Sequence, residues 1–158
     1  MSAPVPGRPR RGQASGSLFG AFPLLAIAVI IYNVMALTVM GGFSSQAAQA
    51  SLAQVLFTIP MTSGGHWAVT MSDLLLAGSL VLLFIELIRS TTSRNIAILN
   101  HGLSMALFIL CLVELLLAAA FATSTFFLIS LMELLDVLAG FIMTIVSARR
   151  DIDYVSGP

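Results

Sequence analysis

FFLISLMELLDVLAGFIMTIVSA, residues Phe126–Ala148, is an unbroken apolar run that closes on Arg149-Arg150. At ~1.5 Å per helical residue it covers the ~30 Å hydrocarbon core of a bilayer, which takes ~20 residues. It nevertheless contains two acids, Glu133 and Asp136. A carboxyl group at that depth costs free energy unless it faces other helices, a partner or a polar path. The two acids stand three residues apart, so they project from one side of a helix, with Gly140 one turn further on. The run therefore reads as a transmembrane helix with a face that has to be covered.

The rest of the chain has the same character. Of 158 residues, 58% are hydrophobic and 9% charged, with a mean hydropathy of +1.02. A soluble domain carries about 25% charged residues, so the composition marks a membrane protein, read as all-α from the apolar runs below, and the length suits one domain. The single cysteine, Cys111, excludes an internal disulfide and any chemistry that needs two redox cysteines in one chain. Inside its apolar run it reads as a small core residue.

Three more runs reach spanning length: Gly20–Met40, Met71–Ile88 and Ile98–Ala120. With Phe126–Ala148 they predict a four-transmembrane-helix bundle over residues 18–148. The first run follows arginines, and Ala48-Gln49-Ala50 resembles a signal-peptide cleavage site. Its apolar core, however, is ~20 residues where a signal peptide has ~7–15, so it is read as a retained span. The seven arginines fix the orientation. Arg8, Arg10 and Arg11 precede the first span, Arg89 and Arg94 separate the second and third, and Arg149 and Arg150 follow the fourth. All fall on one side of an even-numbered topology, and the positive-inside rule makes that side cytoplasmic, with both termini there. Residues 1–17, rich in Pro, Gly and Ser, read as a disordered basic tail, and residues 149–158 as a short cytoplasmic tail.

The opposite loops, Gly41–Thr70 and Phe121–Thr125, carry no Asp, Glu, Lys or Arg. In Ser44–Ile59, Ala48, Leu52, Val55, Leu56 and Ile59 recur at helical spacing and predict a short helix on the outer membrane face. The period then changes. Phe57, Ile59 and Met61 alternate before Ser63-Gly64-Gly65, and Trp67 and Val69 alternate after it, which predicts a small hairpin with Pro60 at an edge. Trp67 is expected at headgroup level. Thr70 and Asp73 have the spacing of a capping box at the start of the second span.

Depth counting groups the polar residues. From the outer ends of the spans, Glu114 lies ~9 Å down, Glu133 and Asn33 ~10 Å, and Asp136 ~15 Å. The third and fourth spans, joined by a very short link, must be antiparallel neighbours. Glu114, Glu133, Asp136, Asn33 and Tyr32 are therefore expected in one intramembrane cluster with no Lys, Arg or His among them. Carboxyl groups so confined cannot all be ionised, so at least one is expected to be neutral and to donate a hydrogen bond. Glu86, Arg89, Asn100 and His101 form a second expected cluster at the cytoplasmic end, with Glu86 and Arg89 paired and snorkelling. Gly78-Ser79, Gly102–Ser104 and Gly140 are small-residue sites for close helix contact.

His66 and His101 fall on opposite sides of the membrane and cannot share a haem or a metal; no Cys-rich or His-rich ligand set exists, and no cofactor is expected. Phosphate-binding glycine loops, nucleophile elbows and paired-His zinc motifs are absent. The SGGHW turn, the acidic third span and the LDVLAGF…ARRD ending together resemble a family of uncharacterised four-helix bacterial inner-membrane proteins, over about residues 20–153. The resemblance implies a multi-pass protein of the bacterial inner (plasma) membrane and no particular activity. The expectation is a non-enzymatic accessory or scaffold subunit of a membrane complex, with the lipid bilayer, other membrane subunits or a second copy as partners and no nucleic acid. The alternative is a small oligomeric proton-coupled transporter or channel that uses the intramembrane carboxyls.

Overall fold

The computed structural model of the chain describes residues 22–38, 44–90 and 94–155. Its elements are α1 (Ala26–Thr38), α2 (Ser45–Leu52), β1 (Val55–Pro60), β2 (His66–Thr70), α3 (Met71–Ser90), α4 (Arg94–Leu117), a 3-10 turn (Ala119–Phe121) and α5 (Ser124–Val155). The tail expected at residues 1–17 and the ends of the first span, 20–21 and 39–40, lie outside the described residues.

Among the described residues, three helices contain stretches long and apolar enough to cross a membrane: Met71–Arg89 of α3, Asn100–Leu117 of α4 and Ser124–Val146 of α5. Over its 13 described residues α1 is apolar but short, ~20 Å at ~1.5 Å per residue. The last helix continues beyond Arg149 and Arg150 to Val155, so the fourth span and most of the expected C-terminal tail are one helix. At the other end of the helical region, α3 begins on the expected capping box. The Thr70 N–H donates to Asp73 Oδ2 at 2.9 Å and the Asp73 N–H donates back to Thr70 Oγ1 at 3.3 Å.

Pairwise contacts fix the helix directions. Leu25, just before α1, meets Glu86 near the end of α3, and Met35 near the other end of α1 shares a groove with Met71 and Leu75, so α1 and α3 are antiparallel. Asn33 meets Glu114 while Pro23 lies in a groove with Leu103, so α1 and α4 are parallel. Ser72 and Thr125, both in first turns, share a hydrogen bond of 2.7 Å, so α3 and α5 are parallel. His101 packs on Gly140, which makes α4 and α5 antiparallel.

The core is built around aromatic rings. Tyr32, Phe121 and Phe126 form a triangle with centroids 4.7–5.4 Å apart, and Ala48 and Leu52 of α2 close over it. The Tyr32 hydroxyl bonds Ala120 O at 3.0 Å and Thr123 Oγ1 at 2.6 Å, while Thr123 Oγ1 accepts the Phe126 N–H. This network ends α4, turns the chain and starts α5. Many large side chains, among them Leu80, Phe84, Leu116 and Ile142, are exposed on the helix exteriors. That surface suits a lipid solvent, in which apolar exposure carries no penalty.

Between α1 and α3 the expected helix is shorter than its periodicity suggested. It stops at Leu52, and Val55, Leu56 and Ile59 belong to β1. The residues from Val55 to Ile59 are mostly β-branched or aromatic, and they pair antiparallel with β2 in the register Phe57–Val69, Thr58–Ala68, Ile59–Trp67 and Pro60–His66. Gly64 makes the turn at φ 84°, and Met61 N–H donates to Gly65 O.

Candidate functional site

Four acids lie deeper in the helices than the capping Asp73, and they occupy three environments. Glu86, only 2% exposed, is held from two sides. Its Oε2 accepts the Leu25 N–H at 3.1 Å and its Oε1 accepts the Asn100 amide at 3.0 Å. The first N–H groups of a helix have no partner within that helix and carry its positive dipole end, so Glu86 caps α1 from a neighbouring helix. Through these two bonds the Glu86 carboxylate turns inward to α1 and α4, and Arg89 lies exposed on α3. Asn100 and His101 then diverge. Adjacent on a helix, they point ~100° apart, Asn100 toward α3 and His101 toward α5.

Glu114 is only half-buried and takes its hydrogen bond from Asn33, whose Nδ2 donates to Oε2 at 3.2 Å and to the Val29 carbonyl at 3.1 Å. The pair lines an open groove of ≈ 520 Å³ between α1 and α4 whose other walls are apolar. Tyr32 is the next residue to Asn33 and so faces elsewhere, into the aromatic triangle. It does not join the carboxyls.

Glu133 and Asp136 are fully buried, at 0% exposure, and all four of their oxygens lack a hydrogen-bond partner among the described residues. Across the α4–α5 contact the same holds for Ser104 Oγ, on a side chain with 0% exposure, and for both His101 ring nitrogens. The His101–Gly140 contact sets the level: counting one residue back along α5 for each residue forward along α4, Asp136 stands beside Ser104–Met105 and Glu133 beside Leu107–Phe108. Glu86 lies within electrostatic reach of both.

The acids are thus regrouped relative to the depth count. Glu114 sits about six residues, ~9 Å, from the level of Glu133. The cause is local: α4 ends at Leu117, three residues after Glu114, while α5 starts at Ser124, nine residues before Glu133, so the two acids stand at different distances from the turn. Glu133 and Asp136 lie within electrostatic reach of Glu86 and, by the helix count, near the level of Ser104 and His101; Glu114 and Asn33 are joined by their own hydrogen bond. Basic chemistry also lies closer than expected, since His101 packs one turn from Asp136. Ser104 could have been found from spacing, because it follows His101 by three residues and precedes Cys111 by seven on one helix face.

Among the described residues no three His, Cys, Asp or Glu side chains are grouped to hold a metal ion. Among the described residues, the groups that the helix count brings level with these acids are Ser104 and His101, likewise unpartnered, and carboxyl and imidazole side chains can take up and release protons. Compared with known proteins, the chain matches no family model, no curated protein and no solved structure. The fold itself defines the class: a helical protein with, among the described residues, three helices long and apolar enough to cross a membrane.

Proposed function

We propose that the protein is a non-enzymatic, multi-pass protein of the bacterial inner membrane that holds a proton at Glu133 and Asp136 and works, as an oligomer, in proton-coupled transport. It crosses the bilayer four times, with both termini cytoplasmic and the β1–β2 hairpin on the outer face. The one-sided arginines support that topology, as does α1, which runs beside α3 from the level of Glu86 to that of Leu75.

The observation that carries the functional reading is the pair of fully buried carboxyls with four unpartnered oxygens. A structural polar knot would spend those oxygens on interhelical hydrogen bonds. A docking face would leave them at the surface. Burial of all four oxygens without a hydrogen bond among the described residues fits a site whose occupant is a proton.

A second reading, an accessory or scaffold subunit, is favoured by Glu114 and Asn33. They present a polar pair to an open apolar groove, where a partner helix would cover them. One set of measurements separates the two. In liposomes the parent should carry protons down an imposed pH gradient, and Glu133→Gln should abolish the flux without lowering the melting temperature. Infrared bands of protonated carboxylic acid at neutral pH should weaken in the same variant. A parent without flux that co-purifies with a stoichiometric partner, and loses it on Glu114→Leu, would establish the subunit reading instead.

A further inference from the structure

We infer that the β1–β2 hairpin is an interfacial anchor, lying in the headgroup–acyl boundary of the bilayer with Phe57, Ile59 and Trp67 turned into lipid. The inference rests on the proposal that the helices span a membrane. The pairing register sorts the hairpin into two unlike faces. Phe57, Ile59, Trp67 and Val69 share one, and Thr58, Pro60, His66 and Ala68 share the other. On the apolar face Val69 is 6% exposed, whereas Phe57 is 51% and Trp67 49% exposed. Val69 is therefore packed against the protein, while its cross-strand partner Phe57 and the Ile59–Trp67 pair beyond it are uncovered.

Three features choose lipid as the occupant. The hairpin is continuous with a spanning helix, because β2 ends at Thr70 and α3 begins at Met71 with no linker, locked by the Thr70–Asp73 cap. This places its root where α3 enters the bilayer. Residues 44–70 contain no Asp, Glu, Lys or Arg, so nothing opposes partial immersion and no charge pattern specifies a protein partner. The apolar face carries an indole and a phenyl ring, the side chains that collect at the membrane–water interface.

The depth is also bounded. Both strands of a two-stranded sheet have an open edge, and unpaired backbone groups are not tolerated in the hydrocarbon interior. The hairpin must therefore lie shallow, with its Thr58–His66 face toward water. By fixing the entry of α3, such an anchor would set the height of Glu86 and of the acids beside it.

Trp67 is the sole tryptophan, so its fluorescence reports this segment alone. The full chain is reconstituted in phosphatidylcholine–phosphatidylglycerol vesicles brominated either high or low on the acyl chains. Trp67 emission should be shifted to shorter wavelength, lose most intensity with the shallow bromines, less with the deep ones, and resist acrylamide. Quenching by acrylamide and not by bromine would place Trp67 in water and overturn the inference. Protection from both would place it in a protein contact and overturn it equally. Trp67→Phe/Phe84→Trp, with its reporter on the exposed side of α3, should be quenched by the deep bromines. If it is not, the spanning assignment fails, a result distinct from the behaviour of Trp67. Ile59→Asp should open Trp67 to acrylamide while leaving the Phe84→Trp signal in its own background unchanged.

Discussion

The imidazole of His101 on α4 lies so close to Gly140 on α5 that any Cβ at position 140 would overlap the ring. This contact sets the relative height of the two helices, and so decides which polar residues of α4 stand beside Glu133 and Asp136. Gly140 serves here by lacking a side chain, since the helix is regular and has no unusual backbone angle at that position.

The first prediction concerns this contact. Gly140→Ala should force His101 aside or part the helices, at a cost of roughly 1–3 kcal/mol, the usual range for overpacking. Thermal unfolding in mild detergent should show a lower midpoint. Adding His101→Ala should restore most of it, because the ring is the obstacle. A Gly140→Ala protein that melts with the parent would show that the helices have slack at this point.

A second expectation follows from the Tyr32 hydroxyl, which holds the turn between α4 and α5 through Ala120 O and Thr123 Oγ1. Tyr32→Phe keeps the ring in the aromatic triangle and removes only these bonds. It should destabilise by roughly 1–3 kcal/mol, because the buried Thr123 hydroxyl and the Ala120 carbonyl each lose a partner. Thr123→Ala should be partly redundant with it. A double-mutant cycle with no coupling between the two would rule out the shared bond.

Glu86 provides the third. Its carboxylate serves the opening turn of α1 and the Asn100 amide together. Glu86→Leu should leave both donors buried and unsatisfied, lowering stability by roughly 1–3 kcal/mol and loosening α1 in particular. Hydrogen exchange at the Leu25 amide should rise well above that of amides in α5. Glu86→Gln should be milder, since its carbonyl oxygen can still accept one of the two bonds. Equal exchange at Leu25 in Glu86→Leu and the parent would mean that the cap contributes nothing.

Most of the helical framework was legible because its signals are strong and local. The apolar runs at 71–88, 98–120 and 126–148 mark α3, α4 and α5, and Thr70–Asp73 marks a helix start. The hairpin was readable from the Gly64-Gly65 turn and its alternating flanks, although the helix before it lost Val55–Ile59 to strand pairing. The polar site was harder to read. Depth counting from span ends carries an error of a few residues wherever a helix stops or starts early, and the stop of α4 at Leu117 together with the start of α5 at Ser124 separates Glu114 from Glu133. Neighbouring residues share a depth but not a direction: Tyr32 turns into the aromatic triangle while Asn33 meets Glu114, and Asn100 meets Glu86 while His101 packs on Gly140. The capping of α1 by Glu86 joins residues 61 apart in sequence and leaves no local trace.

The last prediction reverses the ordinary expectation for a buried polar residue. Removing one usually destabilises, because its partners are left without hydrogen bonds. Glu133 and Asp136 have no such partners among the described residues, so in the fold they contribute a desolvation cost and no compensating bonds. Replacing an internal charge or dipole by an apolar group of similar volume is then neutral or favourable. Glu133→Met, close in size and apolar, should melt at or above the parent temperature in detergent. Asp136→Asn, which keeps the size and the dipole, should change the midpoint little. Both should lose the proton flux, since neither can exchange a proton at the substituted position. A Glu133→Met protein that melts well below the parent would show that this carboxyl holds the helices together, and that its place in the interior is structural. Retained or increased stability with lost flux would mean that the acid is kept at the expense of the fold for the proton it carries.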